Sequence, residues 1–294
     1  MCTGRGNKAL HALITGANTG IGRITALELA GLGVRLTLTG RSEQRAREVM
    51  AEIRARNPAV QVHFEALALD DLDSVQACAQ RILARGDALD LLINNAGLAG
   101  TRGQTRQGFE MAFGVNHLGH FLLTVLLLEL LLDHRQSRPP ARVIHVASRA
   151  HWMAHTIPWE HLRAPTRSLS GIGEYAVSKL CNILFNRALA HRLAGTQVAS
   201  FALHPGVVAT DIWRTVPSFL RPLLRLRPML SPAEGARTTL YCASSADPSR
   251  SGSYFADCRP AAVSPLARDD ALAERLWDFS ARACGIPADR VPRP

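Results

Sequence analysis

The chain is poor in the residues that mark several large classes of protein. Aromatic residues make up only 5% of it, and no zinc-finger spacing accompanies its basic residues. This argues against a nucleic-acid-binding protein in spite of a net charge of +10. Attraction for a phosphorylated small molecule or an anionic lipid surface accounts better for the scattered excess of Arg. The six cysteines run from Cys2 to Cys284 without a single CxxC, and no signal peptide precedes them. Reduced thiols in an intracellular, cytoplasmic protein are the expectation. Long hydrophobic runs are missing too: the longest, Phe121–Leu132, is broken by Glu129 and falls short of the ~20 residues of a membrane span, so a buried helix is expected. His151 and His155 have helical spacing, but no HExxH and no third ligand stand beside them, so no metal is expected. GxSxG is absent as well, which removes the commonest serine-hydrolase reading.

What is there is an alternation of strand-like and helix-like runs over 294 residues, 47% of them hydrophobic and 20% charged. Strands are expected at Ala9–Thr15, Val34–Thr39, Gln61–Leu67, Ala88–Ile93, Arg142–Val146 and Gln197–Leu203, with Tyr254–Ala256 as a last one. Between them fall helices at Ile21–Leu32, Ser42–Arg56, Leu72–Arg85, about Gly108–Asp133 and Glu174–Leu193; Ala233–Ser244 and Ala271–Cys284 follow. Strand–helix alternation of this kind predicts an α/β fold with a parallel sheet and crossover helices. No repeat or linker interrupts it, so residues 1–294 read as one domain with a core at about 9–284. Residues 151–173 look like an irregular insertion.

Thr15-Gly16-Ala17-Asn18-Thr19-Gly20-Ile21-Gly22 joins the first strand to the first helix. Glycines permit a tight turn and close approach of a pyrophosphate, and the helix N-terminus offers free N–H groups. The spacing departs from GxGxxG and resembles the TGxxxGxG turn of the short-chain dehydrogenase/reductase family. The resemblance implies a Rossmann-type doubly wound parallel sheet of about seven strands with helices on both faces. Arg41 follows the second strand, where an acidic residue would bind the ribose 2′-hydroxyl of NAD; an Arg suits the 2′-phosphate, so NADP(H) is the expected cofactor. Asp70 and the turn Asn94-Asn95-Ala96-Gly97 lie where members of the family contact adenine and support the sheet, although Asp70 has an equal reading as a helix cap.

Tyr175 and Lys179 stand four apart on a predicted helix and so project from one face. A free phenol titrates near pH 10 and is a poor base at neutrality; a nearby ammonium and a cationic ring would favour its ionised form. Lowering it by about three units takes roughly 4 kcal/mol. Ser148 ends its strand at the carboxyl edge of the sheet, where its hydroxyl can hold a substrate oxygen. In the family's pattern Asn116 is the fourth catalytic residue, its side chain holding a water that links Lys179 to solvent. His204-Pro205-Gly206-Val207 and Thr210 match the Pro-Gly segment beside the nicotinamide.

Longer stretches, Phe113–Thr124, Ser178–Phe185, Gly252–Cys258 and Ala273–Trp277, resemble the retinol dehydrogenase-like branch. Plant protochlorophyllide reductases share less of the pattern. The branch implies hydride exchange with an aldehyde, a ketone or the corresponding alcohol, on a lipophilic small molecule such as a retinoid or steroid. The other reading is a cofactor-binding regulatory or scaffold protein that keeps the fold without the chemistry. The membrane-bound members carry an N-terminal hydrophobic anchor that this sequence does not show, so no transmembrane span is expected. Residues 211–231, with the basic-apolar run Phe219–Arg227, read as a substrate lid or as a peripheral lipid contact. A homo-oligomer is compatible with all of this.

Overall fold

The computed structural model describes residues 9–133, 139–207, 230–287 and 290–291. Strand β1 (His11–Thr15) is buried along its whole length, as a strand covered on both faces must be. With β2 (Arg35–Gly40), β3 (Val62–Ala66), β4 (Leu91–Asn94), β5 (Ala141–Val146), β6 (Val198–His204) and β7 (Tyr254–Ala256) it forms a parallel sheet. The order of these seven is β3-β2-β1-β4-β5-β6-β7, so the winding reverses between β1 and β4. At such a reversal the crossovers diverge and leave a crevice at the carboxyl ends of the strands.

About seven strands are expected from the sequence, and the described residues form eight. The additional β8 (Arg259–Pro260) turns back antiparallel on β7 through Asp257 and Cys258, both with positive φ (50° and 58°). Two exposed residues carry no alternation to read, and paired positive φ values are the geometry of a tight hairpin turn.

Helices α1 (Gly20–Gly31), α2 (Glu43–Arg56) and α6 (Pro232–Ser244) cover one face, packing Leu29, Ile53 and Cys242 into one core. Helices α3 (Leu72–Ala84), α4 (Met111–Leu132), α5 (Ile172–Arg192) and α7 (Asp270–Ala283) cover the other, with Phe121, Leu184 and Trp277 in a second core. Among the described helices, α4 alone is long and apolar enough to cross a membrane, with a mean hydropathy of 1.7; 83% of that stretch is buried inside the protein. A helix apolar all round is what a buried position demands.

The helix expected from Gly108 begins at Met111 and is not uniform. Gly114–Leu118 is a π segment, closed by a bond from the Gly119 amide to the Gly114 carbonyl five residues back. Periodicity cannot show such a one-residue insertion, and π segments collect at functional sites. Asn116 sits at its centre.

Residues 151–171 are irregular apart from two short 3-10 turns that end at Met153 and His161. The stretch is tied down away from the crevice: Thr166 N donates to Gly103 O (3.1 Å), Glu110 N to Leu162 O (2.9 Å), and Thr166 Oγ1 to Glu110 Oε1 (2.5 Å). Trp159 packs on Phe279 of α7, and the Arg275 guanidinium lies over the Trp159 ring, 4.4 Å from its centre. Only Trp152 and Met153 of the insertion reach the crevice.

Candidate active site

The crevice at the β1/β4 reversal holds a cleft of about 990 Å³. Gly16, Asn18, Thr19, Gly20, Ile21, Gly22, Arg41, Asp70, Ala96, Gly97, Ser148, Tyr175, Lys179, Pro205, Gly206 and Val207 all line it. Thr210 and nearly all of the 211–231 segment lie outside the described residues. The amide of Leu230 donates to the carbonyl of Val207 (2.8 Å), a residue of the cleft wall.

The floor of the phosphate end is built by exclusion of side chains. A Cβ on Gly22 would stand 2.4 Å from the Gly16 carbonyl oxygen and 2.5 Å from Asn95 Nδ2; one on Gly16, at φ +65°, would meet Ala96 Cβ at 2.9 Å. The Thr15 hydroxyl accepts the amides of Asn95 and Ala96, both at 2.9 Å, and Asn95 Nδ2 donates to Thr15 O (2.8 Å). Helix α1 starts at this point with no side-chain cap on Thr19 and no acidic residue in its first turn, while Asn18 Oδ1 is buried without a partner. Bare backbone donors, an uncompensated helix dipole and an open polar atom fit a nucleotide pyrophosphate.

One expected cofactor contact, Asn94, needs correction, and for Asp70 the helix-cap alternative falls away. Asn94 faces away from the cleft: its amide nitrogen donates to Thr124 Oγ1 (2.9 Å) and lies 3.3 Å from His145 Nδ1. Side chains alternate at the end of β4, so Asn95 occupies the cleft wall instead. Asp71, not Asp70, caps α3, accepting from Asp73 N, and this leaves Asp70 on the cleft.

At the other end, Ser148 and Tyr175 share a side-chain hydrogen bond. Lys179 is 2% exposed; its Nζ donates to Val146 O (2.8 Å) and lies 5.6 Å from the centre of the Tyr175 ring. Asn116 is fully buried and its amide is engaged three times. Oδ1 accepts Leu98 N (2.9 Å), and Nδ2 donates to Leu98 O (2.9 Å) and Ser178 Oγ (2.9 Å). The side chain thus clamps the Gly97–Leu98 segment beyond β4 against α5.

The protein's own groups do not yet favour the phenolate. Burial raises the Tyr175 phenol above its ordinary value, only partly offset by the bond from Ser148, and lowers the Lys179 ammonium to about 7. In the protein alone, desolvation outweighs attraction between the two groups. A further positive charge in the cleft is needed to favour the phenolate.

Sequence reasoning quoted Thr15 and Asn95 only as members of their turns, and it missed Ser178 and Asn182, which brace the site from behind. Their signal is polarity on buried stripes: Asn116, His120 and Thr124 recur every four residues on α4, and Ser178, Asn182 and Asn186 do so on α5.

The sequence profile of short chain dehydrogenases matches residues 10–161. Human retinol dehydrogenase 12 is 45% identical over 279 residues, covering 93% of this chain and 86% of that protein. The chain belongs to the short-chain dehydrogenase/reductase family. It is also similar to human dehydrogenase/reductase SDR family member 13, 43% identical over 97% of this chain and 76% of that protein. A crystal structure of an uncharacterized protein from Mycobacterium paratuberculosis has a TM-score of 0.75 at 34% identity, covering 94% of both chains. The protein is therefore a retinol dehydrogenase-like oxidoreductase of this family, with a nicotinamide cofactor and a small-molecule substrate.

Proposed function

We propose that this oxidoreductase uses NADP(H) to interconvert a lipophilic aldehyde or ketone with its alcohol, a retinoid being the first candidate. The observation that carries the chemistry is the convergence of Ser148, Tyr175 and Lys179 at the inner end of one cleft. Its outer wall is apolar: Leu98, Met111, Val115, Trp152 and Met153 line it, and Trp152 and Met153 are 47% and 57% exposed. Such a wall suits a substrate with a hydrocarbon body. The names of the relatives point the same way.

When bound, the nicotinamide supplies the hydride donor or acceptor. Ser148 Oγ holds the substrate oxygen and stabilises charge gathering there. Tyr175 Oη delivers the proton to that oxygen in reduction and removes it in oxidation. Lys179 in its ammonium form steadies the phenolate, and Asn116 keeps Leu98 and Ser178 in place around it. For the cofactor's 2′-phosphate, Arg41 and Arg45 stand exposed at the rim beside Ser42. Neither guanidinium is engaged in an ion pair among the described residues.

A screen that follows NADPH absorbance across aldehydes, ketones and quinones, all-trans-retinal among them, tests the substrate class. Tyr175→Phe is expected to lower kcat by about a thousandfold or more with NADPH affinity within twofold of wild type; unchanged turnover would refute the assignment. Arg41→Ala should weaken NADPH binding about tenfold or more while leaving NADH binding alone. Equal losses for the two cofactors would remove NADP(H) from the proposal.

A further inference from the structure

His120 does not line the cleft, yet it touches both halves of the site from inside the core. Its ring Nδ1 lies 3.0 Å from the backbone oxygen of Asn116, and Nε2 lies 2.9 Å from Thr15 Oγ1. The tautomer follows from the partners. A carbonyl oxygen only accepts, so Nδ1 carries the proton; Nε2 is then a lone pair and accepts the Thr15 hydroxyl. With its proton committed, Thr15 Oγ1 has lone pairs for the two backbone amides that reach it, Asn95 and Ala96 at 2.9 Å each. The alternative acceptor for the Thr15 hydroxyl, Ile93 O, is farther away at 3.4 Å.

The bonds close a circuit. From Thr15 it passes through Ala96 and the chain to Leu98, across the paired bonds between Leu98 and the Asn116 amide, and back from Asn116 O through His120 to Thr15. A second donor, the Asn182 amide, reaches Asn116 O at 2.9 Å and Ser178 O at 3.3 Å when the hydrogen-bond network orients it. Burial, helped by the charge of Lys179, keeps the imidazole neutral by lowering it to about 4. An imidazolium would present two donors and break the arrangement at Thr15.

We propose that His120 is a positioning residue: one imidazole holds the π segment that carries Asn116 in register with the Asn95–Ala96 turn of the cofactor site. The proposal rests on the functional reading of that site, and it concerns only how its two halves are held. Both halves depend on hydrogen bonds as well as packing: Asn116 on Leu98, and the turn on the Thr15 hydroxyl.

Two substitutions open the circuit at different bonds. In His120→Asn the shorter amide keeps a donor near Asn116 O and loses the acceptor for Thr15. In His120→Gln the longer amide keeps an acceptor near Thr15 and loses the donor to Asn116. Backbone amide exchange, read by NMR or mass spectrometry on the cofactor-free protein, should accelerate about tenfold at Asn95 and Ala96 in His120→Asn, and at Leu98 in His120→Gln. NADPH fluorescence titration should show about a tenfold weaker Kd for His120→Asn and a Kd within twofold of wild type for His120→Gln. Should either variant fail to fold, Thr15→Val must reproduce the His120→Asn pattern and Thr15→Ser must restore wild-type exchange and affinity. Parallel losses in both His120 variants that track a lowered Tm would reduce His120 to a core residue and overturn the proposal, as would no change in either. Because exchange needs neither turnover nor cofactor, an inactive Tyr175 assignment and a failed His120 assignment give different results.

Discussion

Lys179 shows most directly how function sets the chemistry of single residues here. Its ammonium is buried and donates to one backbone oxygen, and burial holds it at about 7 against an ordinary value near 10.5. The sign of the consequence can be worked out. Below pH 7 the lysine is charged in both folded and unfolded chains, and the folded chain bears the whole desolvation cost; between 7 and 10.5 the unfolded chain binds more protons, so stability rises with pH. Lys179→Met should therefore stabilise the cofactor-free protein by about 1–3 kcal/mol near pH 6 and by little near pH 10. It should also be inactive. Urea unfolding of wild type and variant at pH 6, 8 and 9.5 checks this; a constant difference across that range would contradict the burial argument. Asn94 and Asn95 teach the complementary lesson. Two identical residues in sequence have opposite surroundings because a strand end sends one side chain to the core and the other to the cleft.

At the scale of elements, two of the three glycines of α1, Gly22 and Gly31, have opposite roles. Gly22 packs where the next heavy atom is the Gly16 carbonyl, whereas a Cβ on Gly31 would meet nothing within 4 Å. Gly22→Ala should cost about 1–3 kcal/mol and destroy nucleotide affinity, because backbone must move to admit the methyl. Gly31→Ala should instead gain about 0.5–1 kcal/mol through helix propensity, with affinity intact. Thermal unfolding and NADPH titration of the pair decide the matter, and a loss of affinity in Gly31→Ala would show that α1 is sensitive throughout. Most elements are legible in the sequence because their burial follows period: continuous apolar runs for the parallel strands, capped runs for α2, α3 and α7. The π segment in α4 is not legible, since one extra residue in a turn leaves composition unchanged. The polar stripes Asn116–His120–Thr124 and Ser178–Asn182–Asn186 were readable in principle; on helices this apolar, side chains four apart must find partners inside.

Across the described residues, five buried imidazoles are held neutral. Burial is the leading cause that lowers His11, His120 and His204 to about 4 and His117 and His145 to about 3. As pH falls through 6.5, the unfolded chain takes up protons that these folded histidines refuse, so stability is lost from 6.5 down toward 4. At pH 5.5 each removes about 1 kcal/mol, which together rivals the 5–15 kcal/mol of a typical domain. Chemical denaturation at pH 7.5, 6.5 and 5.5 should show a steep decline below 6.5; equal stability at 7.5 and 5.5 would mean the imidazoles find solvent on protonation.

The sequence by itself determined the class of fold, the turn at Gly16–Gly22 and the four-residue spacing of Tyr175 and Lys179, since each depends on neighbours along the chain. Only the tertiary structure decided which asparagine meets the cleft, where the 151–173 insertion packs, and that burial raises the Tyr175 phenol while depressing the Lys179 ammonium. Those outcomes depend on groups far apart in sequence being brought out of water together, and the free energy of a buried charge is a property of that enclosure and not of the residue.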